Sequence, residues 1–241
     1  MQARREPANA PFPDPDPVRR EGVRSTIDTV VEAVTDAIRD GHVVPGQRLV
    51  EQEFARRIGV SRSSVREAFQ RLAADGLLVA VPNRGVTVRQ LSRQEVDHLF
   101  DIRAALETLS VRRAVPVLGA NPAPLRELLQ CMDAAVDAGL TRRYSDLNRA
   151  FHGLFAQAAG NPQLSVLLER MGHTIYALQF RLMIEPREVL DTHEQHRRLV
   201  AAVLDGDADA AEATIRAHLE STRRLIQALP DHHFAGPATP P

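Results

Sequence analysis

Apolar residues between Ile27 and Leu229 recur mostly at intervals of three and four, the period of helices with one buried side. Ile27, Val30, Val31, Val34 and Ile38 form the first stripe, and Gly41 ends it. After the turn "PGQRL", the segment "EQEFARRI" predicts a short helix with Phe54 and Ile58 inward, closed by Gly59. Ser61 then caps "SRSSVREAFQRLAADG", in which Val65, Phe69 and Leu72 fall at i, i+4 and i+7. The period changes next. "LLVAV" and "VTV" flank "PNRG" and predict two short strands joined by a turn, with Gly85 free to take a positive φ.

From Ser92 onward the pattern is helical throughout. Ser92 and Glu95 have the spacing of a capping box, and the helix they open is expected to run to about Val115–Val117. Asn121-Pro122 and Asn161-Pro162 each place a capping residue before proline at a first helical position. Six helices are predicted, over roughly 93–117, 122–138, 141–159, 162–184, 186–205 and 208–228. Residues 1–17 are rich in proline and acid and nearly devoid of large apolar side chains, so they predict a disordered tail, as does the closing stretch 230–241. The fold class is therefore mostly α: a winged helix-turn-helix over 18–91, then an all-α antiparallel helical bundle over 92–229.

Composition supports two domains, since 241 residues with 44% hydrophobic content can fill two small cores. The formal net charge of -1 hides a slight asymmetry. Residues 1–90 hold 14 arginines against 12 acids, and the remainder 16 against 19. Nucleic-acid binding must thus be argued from where the arginines sit. All 30 basic residues are arginine, which a GC-rich genome explains as well as phosphate chemistry does. The single Cys131 excludes an intrachain disulfide and suits a reducing compartment. No apolar run approaches the roughly 20 residues of a membrane span, and the start has no signal-peptide core, so a soluble, cytoplasmic protein with no membrane partner is expected.

A helix, a tight turn through Gly59-Val60 and a second helix would present that second helix to the DNA major groove. Ser61, Arg62, Ser64 and Arg66 lie near its start, opposite Val65, Phe69 and Leu72. Arginine there can grip guanine O6 and N7, and the serines can hold phosphates or base edges. Arg84 at the hairpin tip would reach the adjacent groove or backbone. The competing reading of these arginines is a solvated helix face.

The stretch "GQRLVEQEFARRIGVSRSSVREAFQRLAADGLLVAVPNRGVTV" resembles the winged helix-turn-helix of GntR-type bacterial transcription regulators, FadR-like branch, a likeness that covers residues 25–90. The resemblance implies contacts with double-stranded DNA at Arg48, Ser61, Arg62, Arg66, Arg84 and Gly85, and a homodimer on a palindromic operator. Gln52 stands where some relatives carry a base-reading arginine.

Three of the nine histidines, His152, His196 and His218, lie on the apolar sides of three different helices and could meet at one point in a bundle. Neutral imidazole is a common metal ligand, and Asn148, one turn before His152, would aim its amide oxygen at the same space. Taken singly, each reads first as a core histidine bonded to a carbonyl; all three pointing inward together reverse that preference. His193, His173 and the pair His232-His233 read as solvated or tail residues. Arg103 stands four residues before Glu107, the spacing of an exposed helical ion pair.

"NRAFHGLFAQAAGNPQL" and "HEQHRRLVAAVLDGDADAAEATIRAHL" resemble the effector-binding FCD domain of that branch over residues 93–228, and six helices point to its VanR-like variety. That likeness implies a divalent metal, zinc or nickel, at Asn148, His152, His196 and His218, with Asn148 replacing the aspartate of many relatives. It also implies a small carboxylate effector docked beside Arg103. A metal-free pocket in which the histidines bind an anion directly stays open.

Two other classes compete. A three-histidine metal with an open position also describes a hydrolytic zinc enzyme, but the three histidine stripes carry no acid placed as general base, and no phosphate loop, serine-nucleophile motif or H-E-x-x-H occurs. An architectural DNA-binding protein without effector would use its bundle only to dimerise. The reading favoured is a DNA-binding transcriptional regulator, a repressor relieved by a small acid, and not an enzyme.

Overall fold

The computed structural model describes residues 25–39, 41–81, 85–182 and 186–236, leaving out the side chains of 39, 173–174, 176–182 and 186–188. The expected tail over 1–17 and the predicted DNA contact Arg84 lie outside the described residues.

The first unit starts with α1 (Thr26–Arg39), whose stripe buries Val30, Val34 and Ile38. A short strand β1 (Arg48–Leu49) follows, then α2 (Glu51–Ile58) and α3 (Arg62–Ala74). Gly59 between the two helices is left-handed at φ 75°, which lets the chain reverse tightly enough for Phe54 and Phe69 to meet edge to face at 5.5 Å. Val65, Phe69 and Leu72 are all buried, as their spacing predicts. β2 (Leu78–Val81) and β3 (Gly85–Val88) pair antiparallel, with Gly85 at φ 82°. The hairpin gains a third strand that the pattern does not predict: β1 pairs with β3, giving the order β1-β3-β2. Two residues are too few to show a period of two.

The second unit is a bundle of six helices among the described residues: α4 (Arg93–Ala120), α5 (Ala123–Asp137), α6 (Thr141–Ala158), α7 (Pro162–Leu182), α8 (Pro186–Leu204) and α9 (Ala208–Gln227). The Ser92–Glu95 capping box forms, with each side chain on the other's backbone N–H. α4 does not stop near Val117 as predicted but passes through Pro116 to Ala120. Proline removes one backbone hydrogen bond, and burial of Val115 and Leu118 on either side holds the helix together across that gap. Gly119 explains why the last turn can lie so close to α8, since a Cβ there would touch the Val203 carbonyl oxygen at 3.4 Å. Asn161 caps α7 as expected, through Leu164 N–H at 3.4 Å, whereas Asn121 ends α4 and leaves Pro122 as an N-cap without a side-chain bond.

The expected tail over 230–241 is corrected for 230–236. Asp231–His233 make a turn of 3-10 helix, and Phe234 is only 6% exposed, packed in the bundle core under the Arg93 guanidinium at 4.0 Å. Gln90 donates to the carbonyls of His232 and Phe234, and Ala235 N–H donates to Leu91. One aromatic anchor is enough to order a segment whose composition otherwise suits a tail.

Candidate functional site

The N-terminal half of α3 presents its polar side to solvent. Ser61 is the N-cap of α3, accepting from Ser64 N–H at 3.1 Å, and its hydroxyl lies 2.7 and 2.8 Å from those of Ser63 and Ser64. Arg66 is exposed but held by Glu51 from α2 in a two-pronged pair, Nε to Oε1 at 3.0 Å and Nη2 to Oε2 at 3.0 Å. Arg62 points past the same carboxylate at 4.0 Å and is 63% exposed. An exposed pair of this kind is weak, so it positions Arg66 without locking it away from a base. Arg48 on β1 lies against Gly85 on β3, with its Nε 3.8 Å from where a Cβ of residue 85 would stand, so the unpredicted strand joins two of the predicted contacts.

Inside the bundle, His152 from α6, His196 from α8 and His218 from α9 do converge. One nitrogen from each lies within 4.8 Å of the others, and the ring centroids are 4.7–5.6 Å apart. Each Nδ1 faces a different partner. His152 donates to Glu107 Oε2 at 2.8 Å, His218 donates to the amide oxygen of Gln195 at 2.9 Å, and Tyr144 Oη stands 3.3 Å from His196 Nδ1. In His152 and His218, donation from Nδ1 leaves the lone pair on Nε2, the tautomer a metal requires. His196 Nε2 and Asn148 Oδ1 are buried with no hydrogen-bond partner among the described residues. Orphaned acceptors in a core are costly unless something fills the space between them, so these residues fit a divalent ion.

Electrostatics favours neutral rings at His196 and His218. Burial, with the imidazoles of His218, His152 and His193, pushes His196 far below the usual histidine range, and burial with His152 brings His218 down to about 3.

Arg103 makes the predicted pair with Glu107, but it is a buried pair and not an exposed one: the residues are 6% and 5% exposed, and Nε and Nη2 reach Oε1 at 2.9 and 2.7 Å. Burial pushes the Glu107 carboxyl up, yet Arg103 and His152 outweigh it and hold it well below the usual carboxylate range. Arg103 Nη1 is buried with no partner among the described residues. Glu107 itself was not predicted as part of this centre. The signal for it is the stripe Phe100, Arg103, Glu107, Val111, Ala114, which puts a charged pair on the apolar side of α4.

His193 is a correction. Read from its spacing as solvated, it is 2% exposed, bonded through Nε2 to Asp133 at 2.7 Å and set edge to face against Tyr144. The side chain of His173 lies outside the described residues, while His232 and His233 stack on one another in the C-terminal turn.

A winged helix-turn-helix with a polar reading helix, followed by an all-α bundle, is the architecture of a DNA-binding transcriptional regulator. Comparison with known proteins agrees: residues 26–88 match the family "Bacterial regulatory proteins, gntR family", and residues 98–221 match the FCD domain. The chain belongs to the GntR family of bacterial regulators, in the branch that carries an FCD domain. It is 30% identical to the HTH-type transcriptional regulator YdhC of Bacillus subtilis (strain 168), over 75% of this chain and 82% of that one. It is also 30% identical to the HTH-type transcriptional repressor RspR of Escherichia coli (strain K12), over 77% and 83%. The solved structure of E. coli McbR/YncC has the same fold, with a TM-score of 0.77 at 24% identity, covering 85% of this chain and 98% of that one. These relatives are transcriptional regulators, not enzymes. No helix among the described residues is long and apolar enough to cross a membrane.

Proposed function

We propose that this protein is a homodimeric repressor that binds a palindromic operator through α3 and its wing and releases it when a small carboxylic acid enters the bundle. Arg48, Ser61, Arg62, Ser64, Arg66, Arg84 and Gly85 form the DNA-reading set, in which Arg62 and Arg66 read bases and the serines, tied up in the cap, position phosphates through the helix N-terminus. His152, His196 and His218 would hold zinc or nickel with Asn148 as a neutral fourth donor, and the ion would supply a Lewis-acid anchor for a carboxylate. Arg103 Nη1 would take the second oxygen of that carboxylate.

The observation that carries this reading is the convergence of three imidazoles from three helices, each oriented by its own partner, beside an unpartnered guanidinium nitrogen. A purely architectural bundle has no reason to turn three rings toward one point and leave His196 Nε2 and Asn148 Oδ1 buried without a partner. The test is thermal stability of the full chain with zinc or nickel, alone and with a panel of small carboxylic acids, paired with operator binding followed by fluorescence anisotropy. Ligands bound only to the folded state raise the melting temperature. Stabilisation by an acid together with loss of operator affinity is expected; no stabilisation by any metal or acid would leave the architectural reading.

A further inference from the structure

We infer that the histidine centre takes a divalent cation and a dianionic carboxylate as a pair, the cation binding weakly until the dianion is present. This rests on the proposed function, whose metal ligands it uses, and extends it to the charge and order of what binds there.

Charge must balance in a space this enclosed. The three imidazoles are neutral donors, and Asn148, 8% exposed with its Oδ1 unpartnered, is a neutral one. Among the described residues the acid touching the ring cluster is Glu107, and its charge is already matched by Arg103, whose guanidinium grips Oε1. The neighbouring His193 adds no free anion either, because its partner Asp133 is also paired with Arg197 at 2.7 Å. A divalent ion among these groups would bring two positive charges that nothing in its surroundings cancels. Isolated charge is expensive to bury, so the ion's own affinity is reduced. A dicarboxylate cancels both charges, and the unpartnered Arg103 Nη1 gives it a hydrogen-bond donor besides the metal. A monocarboxylate cancels only one. The two ligands are therefore positively coupled, and linkage makes the coupling reciprocal: whatever factor the dianion adds to metal affinity, the metal adds to that of the dianion.

Isothermal titration calorimetry on the full chain tests this with zinc as the metal and malonate as the dianion. Zinc is titrated in a non-chelating buffer alone, with malonate, and with acetate at equal concentration. Malonate is expected to tighten zinc binding at least about tenfold, well inside the usual range of coupling between ligands, and acetate clearly less. Free malonate competes for zinc in solution, which acts in the opposite direction and cannot mimic the gain. Asn148→Asp supplies a permanent anion, so this variant is expected to bind zinc more tightly without malonate and to lose most of the malonate enhancement. The three wild-type titrations decide the matter even if that variant fails to fold. Zinc affinity unchanged by malonate would overturn the paired binding and leave the metal site standing. Zinc binding absent in all three buffers would overturn the metal part of the proposed function and the pairing with it.

Discussion

Glu107→Gln is the perturbation that separates a built polar centre from an incidental ion pair. Gln keeps the shape and one acceptor oxygen but removes the charge that Arg103 and His152 share. Arg103 is 6% exposed and already has one nitrogen without a partner, so it would become an uncompensated buried cation. Breaking such a pair from one side costs about 3–5 kcal/mol, and the retained acceptor places Gln near the lower end, about 3 kcal/mol. In a chain of this size that corresponds to a fall in Tm of about 6–12 °C. Replacing both members, as in Arg103→Met with Glu107→Leu, removes the stranded charge and should recover most of that loss. Urea denaturation followed by far-ultraviolet circular dichroism, which the helical bundle dominates, measures all three proteins. His152 would also lose the acceptor that sets its tautomer, so zinc affinity in the presence of malonate should fall about 10–100-fold. A Glu107→Gln stability within about 0.5 kcal/mol of the parent would show that the pair is neither buried nor charged as argued, because that is the range of an ordinary surface change.

Three further outcomes follow from other parts of the molecule. Arg62→Ala should weaken operator binding by about 1–3 kcal/mol while leaving non-specific binding nearly intact, read by anisotropy titration at fixed salt; an equal loss on both DNAs would make Arg62 a phosphate contact instead. Phe234→Ala should destabilise the bundle by about 3–5 kcal/mol, since the ring is nearly fully buried, and a loss below about 1 kcal/mol in urea would return the segment to a tail. At Asp133, burial acts to raise the carboxyl but His193 and Arg197 outweigh it, so its pKa is lowered in the folded state. Its stabilising contribution is therefore present above the unfolded carboxylate pKa of about 3.9 and is lost as pH falls through the lower folded value. Asp133→Asn should destabilise the protein at pH 7 and flatten the stability profile below pH 4; an unchanged acid limb in pH-dependent melting would argue against the pairing.

Where a residue pattern reflects one helix packing on one core, the chain is legible by eye. The stripes on α1 and α3, the capping box at Ser92 and the left-handed turns at Gly59 and Gly85 all follow from local rules. The three histidines were legible for the same reason, each being a polar residue on an otherwise apolar side. What failed to show is set by contacts far apart in sequence. β1 is a strand only because β3 lies beside it, and Phe234 is a core residue only because Arg93 and Gln90 receive it. His193 looked solvated because its acceptor, Asp133, is 60 residues away. Tyr144 and Gln195 give no sign of their roles until the helices that carry them are packed.

α4 is the element that belongs to both halves of the protein. It brings Arg103 and Glu107 to the histidine centre, and its first turn holds the segment leaving the wing: Glu95 caps Ser92 and pairs with Arg89 at 2.7 Å, while Arg93 donates to the carbonyls of Gln227 and Leu229 and to Asp231. The centre and this junction are separated by 14 residues of continuous helix, roughly 21 Å at 1.5 Å per residue. A helix transmits a shift or a tilt over that distance with little loss, whereas a loop would absorb it. Gln90, clamped between the C-terminal turn and the Gly46 turn, leaves little slack on the wing side. Under the proposed function, a ligand drawn to Arg103 would act on the same rod that holds the wing junction, and it would change operator affinity only as far as it bound one placement of that rod more tightly than another.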